Sequence, residues 1–314
     1  MRKKIGWFHT LIVLMVVFLS FFVSSCAINQ KSQPAESTAQ IPTGKSFNSI
    51  ISSGKERNYL LYVPASYNGQ SPAPLVFNFH GSGGNPEGQL GYSDFAKLAE
   101  SKGFIVVLPA GLYQSRGRNS WNTIMDPEGV NDVQLVKDLI RELNTKLTID
   151  KKRIYSTGMS GGARMVSRLG CELSETLAAI APVAGIQHPN DCSVSRAVPV
   201  ITFHAKKDLV NHYVHRSNSP GYWTTGVEES VSGWVTKNGC NKAPLTDQIS
   251  SVVTKLNWKN CNNGAEVIFY RVEDGGHTWP GSPIVLTQFW AGKTNKDINA
   301  SQLIWNFFMA HPLP

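Results

Sequence analysis

Short apolar runs that alternate with amphipathic segments are the dominant pattern along this chain. Such runs are typical of buried strands, and apolar residues at three- and four-residue steps are typical of helices packed on a sheet. An antiparallel hairpin is expected first, over residues 46–52 and 57–63. Further strands are predicted at 74–79, 104–109, 153–157, 177–183, 198–203 and 266–272, and helices at 94–100, 131–147, 163–169, 226–237 and 299–310. The alternation predicts an α/β fold with a mainly parallel central sheet and helices on both faces.

The first 25 residues follow a different pattern, with a basic start, an apolar stretch from Leu11 to Val23 and small residues before Cys26. This layout predicts an export signal. The end of the stretch resembles the lipobox of bacterial lipoproteins, so Cys26 is expected to carry a lipid that anchors an extracytoplasmic protein to a membrane. The alternatives are a plain signal peptide that leaves a secreted protein and an uncleaved anchor helix, for which the apolar run is short. We therefore predict a signal peptide over 1–25, a flexible tether rich in Ser, Gln, Thr and Pro over 26–44, and one folded domain over 45–314.

Composition and cysteine content narrow the classes of protein to consider. Hydrophobic residues make up 41% and charged residues 17% of the chain, as in ordinary globular proteins. The formal net charge is +8, but the basic residues are scattered, which argues against nucleic-acid binding. Export favours disulfides over free thiols. Four cysteines allow three pairings, of which the sequential one is simplest, and the four are Cys171, Cys192, Cys240 and Cys261.

A serine between glycines supplies the first candidate catalytic residue. Gly158-Met159-Ser160-Gly161-Gly162 fits G-x-S-x-G, follows a predicted strand and precedes a predicted helix, which is the setting of a nucleophile elbow. The start of that helix directs free backbone N–H groups toward a developing negative charge. A second glycine-rich loop, over residues 80–84, follows the strand 74–79 and predicts the other half of an oxyanion hole.

A serine hydroxyl needs a histidine base, and that histidine needs a carboxylate to orient it. Asp208 follows the strand 198–203, and His277 lies in a glycine-flanked loop after the last strand, in the chain order Ser, Asp, His. His212 and His215 have no further ligand pattern near them, and there is no C-x-x-C spacing, so a metal site is disfavoured. No cofactor is expected, and a monomer is expected.

Five segments together resemble a known family. They are His80–Gly84, Gly158–Gly162, Ala179–Gly185, Asn238–Cys240 and Gly275–Gly281. They look like the polyhydroxybutyrate depolymerase and feruloyl esterase group of secreted α/β-hydrolases, which includes esterases of the first carbohydrate-esterase family.

The resemblance covers about residues 47–312. It implies Ser160 as nucleophile, Asp208 as orienting carboxylate and His277 as base. It also implies the N–H groups of Ser82 and Gly161 as the oxyanion hole, and a Cys240 to Cys261 bridge. Ala205 stands where the family usually has glycine before the acid, and residues 118–123 lack the cysteine that many relatives carry there.

The expected substrate is a carboxylic ester, most simply a feruloyl or acetyl ester of a plant polysaccharide. A short hydroxyalkanoate oligomer, another acyl substrate on the same fold and a non-catalytic binding lipoprotein are the alternatives. Aromatic faces suit an aryl group or a sugar ring. The candidates for the pocket wall are Trp121, Trp223 and Trp279, together with Tyr222.

Overall fold

The computed structural model describes residues 42–115, 117–189, 191–287 and 289–314. The predicted export signal, Cys26 and most of the predicted tether lie outside these ranges. The chain divides into two units, Met1–Gln40 and Ile41–Pro314, and every described residue belongs to the second. Among the described residues, no helix is both long and apolar enough to cross a bilayer.

Within these ranges the chain forms twelve β-strands, six α-helices and one short 3₁₀ turn at Asn262–Gly264. The strands are β1 Gly44–Ser52, β2 Lys55–Val63, β3 Ala73–Phe79, β4 Ile105–Pro109, β5 Tyr113–Ser115, β6 Arg118–Ser120, β7 Ile149–Met159, β8 Ala179–Val183, β9 Val200–Ala205, β10 Leu245–Ser250, β11 Val253–Trp258 and β12 Val267–Val272. The helices are α1 Pro86–Ser93, α2 Phe95–Lys102, α3 Asp132–Lys146, α4 Gly161–Glu172, α5 Val227–Lys237 and α6 Ala300–Ala310.

Ten of these strands form one mixed sheet in the order β1-β2-β4-β3-β7-β8-β9-β12-β11-β10. The six central strands, β4 to β12 in that order, are parallel to one another. Antiparallel pairs complete both edges. The predicted α/β fold with a mainly parallel centre is therefore confirmed, and β5 and β6 form a separate small hairpin.

Apolar side chains leave the sheet on both faces and meet different helices. One core contains residues of α3, α4 and α5, for example Leu139, Val166 and Trp234. The other contains residues of α1, α2 and α6, such as Phe95 and Phe308. Both faces of the central strands are thus covered, which explains why those strands have continuous apolar runs rather than an alternating pattern.

Local capping chemistry explains which elements the sequence identifies well. Asn131 precedes α3 as predicted, and its side-chain oxygen accepts the N–H of Gln134 at 2.9 Å. The opening hairpin of β1 and β2 is also confirmed. By contrast, α1 has no apolar periodicity and begins after Asn85, whose side chain accepts the N–H of Gly88 at 2.8 Å. The exposed edge strand β10 has no buried face. The sequence analysis predicted neither α1 nor β10.

Two disulfides join Cys171 to Cys192 and Cys240 to Cys261, which is the sequential pairing. The first links the end of α4 to the segment before β9. The second links the residues after α5 to the turn after β11. Each bridge closes a loop with the same sequence separation of 21.

Replacing both Cys240 and Cys261 with alanine should lower the free energy of unfolding by about 3 kcal/mol, because a closed loop of this size restricts the unfolded chain. Urea unfolding under non-reducing conditions measures the change. The Cys171→Ala, Cys192→Ala variant opens a loop of equal length and should lose a comparable amount. An unchanged urea midpoint in both variants would contradict this expectation.

Candidate active site

A strained turn at Ser160 joins β7 to α4. Ser160 has φ 57° and ψ −116°, a backbone region that residues with a side chain rarely occupy. Its N–H donates to the Val183 carbonyl at 3.0 Å, and its carbonyl accepts the Arg164 N–H at 3.1 Å. A Cβ on Gly162 would lie 2.2 Å from the Phe79 carbonyl oxygen, so only glycine allows this close approach to β3. The turn is therefore held from both sides, with the Ser160 side chain at the end of the strand.

The loop after β3 is shaped by the buried ring of His80. Its Nε2 accepts the Gly111 N–H at 2.9 Å, and its Nδ1 donates to the Gly81 carbonyl at 2.8 Å. Its own carbonyl accepts the indole N–H of Trp121 at 2.8 Å. Burial lowers the pKa of His80, which favours the neutral ring that these bonds require. His80 thus fixes the loop that carries Ser82.

Ser82 and Gly161 lie next to each other across the turn. A Cβ on Gly161 would come within 2.4 Å of Ser82 Oγ and 3.0 Å of the Ser82 backbone nitrogen. The Gly161 N–H is at the first position of α4, where no partner exists within the helix. The Ser82 hydroxyl also bonds to the Ser120 hydroxyl at 2.7 Å. The structure brings together the two residues whose N–H groups were predicted to form the oxyanion hole.

A short hydrogen bond joins the predicted base to the predicted acid. His277 Nδ1 donates to Asp208 Oδ2 at 2.7 Å, and both side chains are buried. The other carboxylate oxygen accepts the N–H groups of Val210 and Asn211, each at 2.8 Å. Burial alone would raise the pKa of the Asp208 carboxyl. The charge of His277 and hydrogen bonds from His204 and His277 outweigh burial and hold that pKa well below its usual range.

His204 is a further neighbour of Asp208 that the sequence analysis did not single out. Its Nε2 donates to the Asn211 carbonyl at 2.9 Å and lies 3.3 Å from Asp208 Oδ2. Its position four residues before the acid was the available signal. Ala205 ends β9 in ordinary strand pairing, and its carbonyl accepts the Asp208 N–H at 3.2 Å. The turn therefore forms with alanine where glycine was expected.

Ser160 and His277 line the same cleft, which has a volume of about 1090 Å³. In the described part of the chain no hydrogen bond joins the Ser160 hydroxyl to His277. Such contacts are often loose without substrate and tighten when it binds. The loop of residues 80–84, Arg164, Tyr222 and Trp290 also line the cleft.

The three tryptophans predicted for the pocket wall lie elsewhere, and that prediction is corrected. Trp121, Trp223 and Trp279 are at most 1% exposed and do not line the cleft. Their indole N–H groups are satisfied inside the protein, that of Trp223 by the His212 carbonyl and that of Trp279 by the Ser301 hydroxyl, each at 2.9 Å. They are core aromatics whose polar atom has a buried partner.

Among the described residues, no three or more His, Cys, Asp or Glu side chains are grouped so that they could hold an ion.

The sequence of this chain is similar to those of known proteins. The sequence profile of a family described as Esterase PHB depolymerase matches residues 57–262, so His277 lies beyond the matched segment. Feruloyl esterase B of Piromyces equi is 29% identical over 230 residues, which are 70% of this chain and 42% of that protein. The bifunctional acetylxylan esterase/xylanase XynS20E of Neocallimastix patriciarum is 25% identical over 230 residues, 72% of this chain and 31% of that protein. This chain therefore spans less than half the length of either relative.

A solved structure supports the same fold. Acetyl xylan esterase from Aspergillus awamori superposes with a TM-score of 0.56 at 18% sequence identity, covering 74% of this chain and 94% of that one.

Replacing Asp208 with asparagine should lower kcat by about 10³- to 10⁴-fold, because the amide cannot hold His277 in the tautomer that leaves Nε2 free to accept a proton. Steady-state hydrolysis of a nitrophenyl ester measures the loss. Asp138→Asn is the matched control, since Asp138 is also a buried carboxylate but lies on α3 and bonds to Ser52. Equal losses in the two variants would contradict a specific role for Asp208.

The same substitution should change acid stability. The folded pKa of Asp208 lies below the unfolded value of about 3.9, so the carboxylate contributes stability that is present above that value and lost as the pH falls below it. The free energy of unfolding of Asp208→Asn should therefore depend less on pH between about pH 5 and pH 2 than that of the unmodified protein.

Proposed function

This chain belongs to the Esterase PHB depolymerase family, and we propose that it is a carboxylic ester hydrolase that cleaves its substrate with a triad of Ser160, His277 and Asp208 through an acyl-enzyme. The hydrogen bond of 2.7 Å between His277 and Asp208, on a cleft that also contains Ser160, is the observation that carries the proposal. The chain order of the three residues is that of α/β-hydrolases.

The mechanism follows from the hydrogen-bonding capacity of each group. With Nδ1 donating to Asp208, the Nε2 of neutral His277 has a free lone pair and takes the proton from Ser160 as the hydroxyl attacks the ester carbonyl. The N–H groups of Ser82 and Gly161 bind the oxyanion that develops. His277 then gives the proton to the leaving alcohol. A water molecule, deprotonated by His277, attacks the acyl-enzyme, which releases the acid and restores Ser160.

For the substrate we propose feruloyl or acetyl esters of plant polysaccharides. Two similar proteins are named as a feruloyl esterase and as an acetylxylan esterase. Tyr222 and Trp290 provide aromatic surface in the cleft, which suits an aryl group or a sugar ring. The family description also favours a second candidate, a short hydroxyalkanoate ester.

Replacing Ser160 with alanine should lower ester turnover by about 10⁵-fold and leave the melting temperature nearly unchanged. The side chain removed makes no hydrogen bond within the described part of the chain, and the backbone contacts of the turn remain. Thermal unfolding followed by circular dichroism is the control for folding. A variant that keeps its turnover would overturn the assignment of Ser160.

Hydrolysis of a panel of esters by the unmodified protein and by Ser160→Ala separates the two candidate classes of substrate. The panel contains 4-nitrophenyl acetate, methyl ferulate, acetylated xylan and a hydroxybutyrate trimer. Serine-dependent kcat/KM should be highest for methyl ferulate or acetylated xylan. A higher value for the trimer would reject the polysaccharide-ester proposal in favour of the polyester one.

We further propose that the mature chain begins at a lipid-modified Cys26 and is anchored outside the cytoplasm. The export pattern of the leader supports this, and the two disulfides suggest an oxidising compartment. Bacterial cells fed radiolabelled palmitate should label the unmodified protein, whereas the Cys26→Ala variant should stay unlabelled. Equal labelling of both would refute the anchor.

A further inference from the structure

Arg164 is a buried cationic residue on the wall of the cleft that the proposed mechanism does not use. It lies one helical turn after Ser160 on α4, and its backbone N–H bonds to the Ser160 carbonyl. The residue is 5% exposed and belongs to the lining of the cleft. A guanidinium that is largely removed from solvent therefore lines the same cleft as the serine.

In the described part of the chain, the guanidinium contacts the uncharged side chains of Tyr222 and Asn211. Its central carbon lies 4.2 Å from the centre of the Tyr222 ring, a cation–π contact, and its Nη1 is 3.4 Å from Asn211 Oδ1. Its Nε is buried without a hydrogen-bond acceptor. Among the described residues, no Asp or Glu forms an ion pair with it. The arrangement holds the guanidinium in place but supplies no negative charge.

Arg57, the other fully buried arginine among the described residues, is paired with a carboxylate. Arg57 bonds to Asp132 at 2.7 Å, and Arg168, one turn further along α4, forms an ion pair with Glu172. Burying a charge without a partner is unfavourable, and such groups are usually paired or functional. Burial lowers the pKa of Arg164 to about 10, which leaves the side chain charged at neutral pH. Arg164 is thus an exception that its packing does not explain.

The charged side chains among the described residues that line the cleft are all positive. Among its described lining residues there are two arginines, Arg164 and Arg118, and no Asp or Glu. A cleft lined by one sign of charge concentrates ligands of the opposite sign. The planar fork of an arginine also matches the geometry of a carboxylate.

We propose that Arg164 binds a carboxylate on the ester substrate, so that the preferred substrates of this site carry an anionic group in addition to the ester bond that is cleaved. The inference rests on the proposed function of Ser160 and extends it to the class of substrate. Arg118, which is exposed, contributes attraction at a second position in the cleft.

Two pairs of esters test the proposal, each pair differing in one negative charge. The acyl-side pair is 4-nitrophenyl hemisuccinate and 4-nitrophenyl butyrate. The alcohol-side pair is 4-carboxyphenyl acetate and 4-methylphenyl acetate. For each pair the measured quantity is the ratio of kcat/KM for the charged ester to that for the neutral ester, at pH 7.5 and low ionic strength.

Arg164→Gln should lower this ratio by about 10- to 100-fold for at least one pair, the range expected for losing a charge-assisted hydrogen bond. Arg164→Lys, which keeps the charge but not the fork, should lower it less. Arg168→Gln is the matched control, because Arg168 lies on the same helix, is already paired with Glu172 and does not line the cleft. Its ratio should stay close to that of the unmodified protein.

A measurement on the unmodified protein keeps the proposal testable if Arg164→Gln does not fold. Succinate should inhibit hydrolysis of the neutral butyrate ester competitively and more strongly than the uncharged succinamide does, and added salt should weaken that inhibition. The proposal is overturned if a folded Arg164→Gln changes neither ratio by more than threefold, or if succinate and succinamide inhibit equally. Hydrolysis of neutral esters that continues in Ser160→Ala would instead reject the proposed function.

Discussion

The main-chain conformation at Ser160 is the constraint on which the rest of the site depends. A positive φ at a residue with a side chain is unfavourable by about 1–3 kcal/mol, and here it is maintained by two backbone hydrogen bonds and by close packing against β3. That packing requires glycine at position 162, because any side chain there would overlap the Phe79 carbonyl. The same contact places the start of α4 against the end of β3 and the loop that follows it. A single turn therefore determines both where the serine lies and which amides face it.

Sheet topology brings the remaining groups to this turn. The residues of the site follow β3, β7, β9 and β12, which belong to the parallel centre of the sheet and end at the same edge. In open α/β sheets this is the edge where ligands bind. Asp208 and His277 are 69 residues apart in the chain, yet they are hydrogen-bonded because β9 and β12 are neighbours. The chemistry thus depends on strand order, while the cleft walls come from the connecting segments.

The sequence-based predictions are accurate where residues close together in the chain define an element, and they fail where contacts between distant residues define it. The helix α3 and the strand-turn-helix setting of Ser160 are specified by local caps, glycines and apolar spacing, and the sequence was sufficient to identify them. The exposed strand β10 has no hydrophobic pattern to detect, since it is defined by pairing with β11.

The tryptophans are a second case in which contacts between residues distant in the chain decide the outcome. Trp279 is two residues from His277, but its direction is set by contact with Phe95 and Ser301, which are distant in the chain. Residue type and proximity in sequence could not distinguish a core indole from one in the cleft.

The protein treats two buried charged side chains of the site, Asp208 and Arg164, differently. Asp208 is surrounded by two histidines and two backbone amides, so its ionised form is stabilised within the protein. Arg164 is equally buried but has an aromatic face and an amide oxygen in place of a counter-ion. These two groups take the place of water around the guanidinium but do not neutralise its charge. A positive potential therefore acts in the cleft. The site therefore combines an acid whose ionised form is stabilised by the groups around it with a cation that lacks a counter-ion, and an anionic substrate would supply the missing partner.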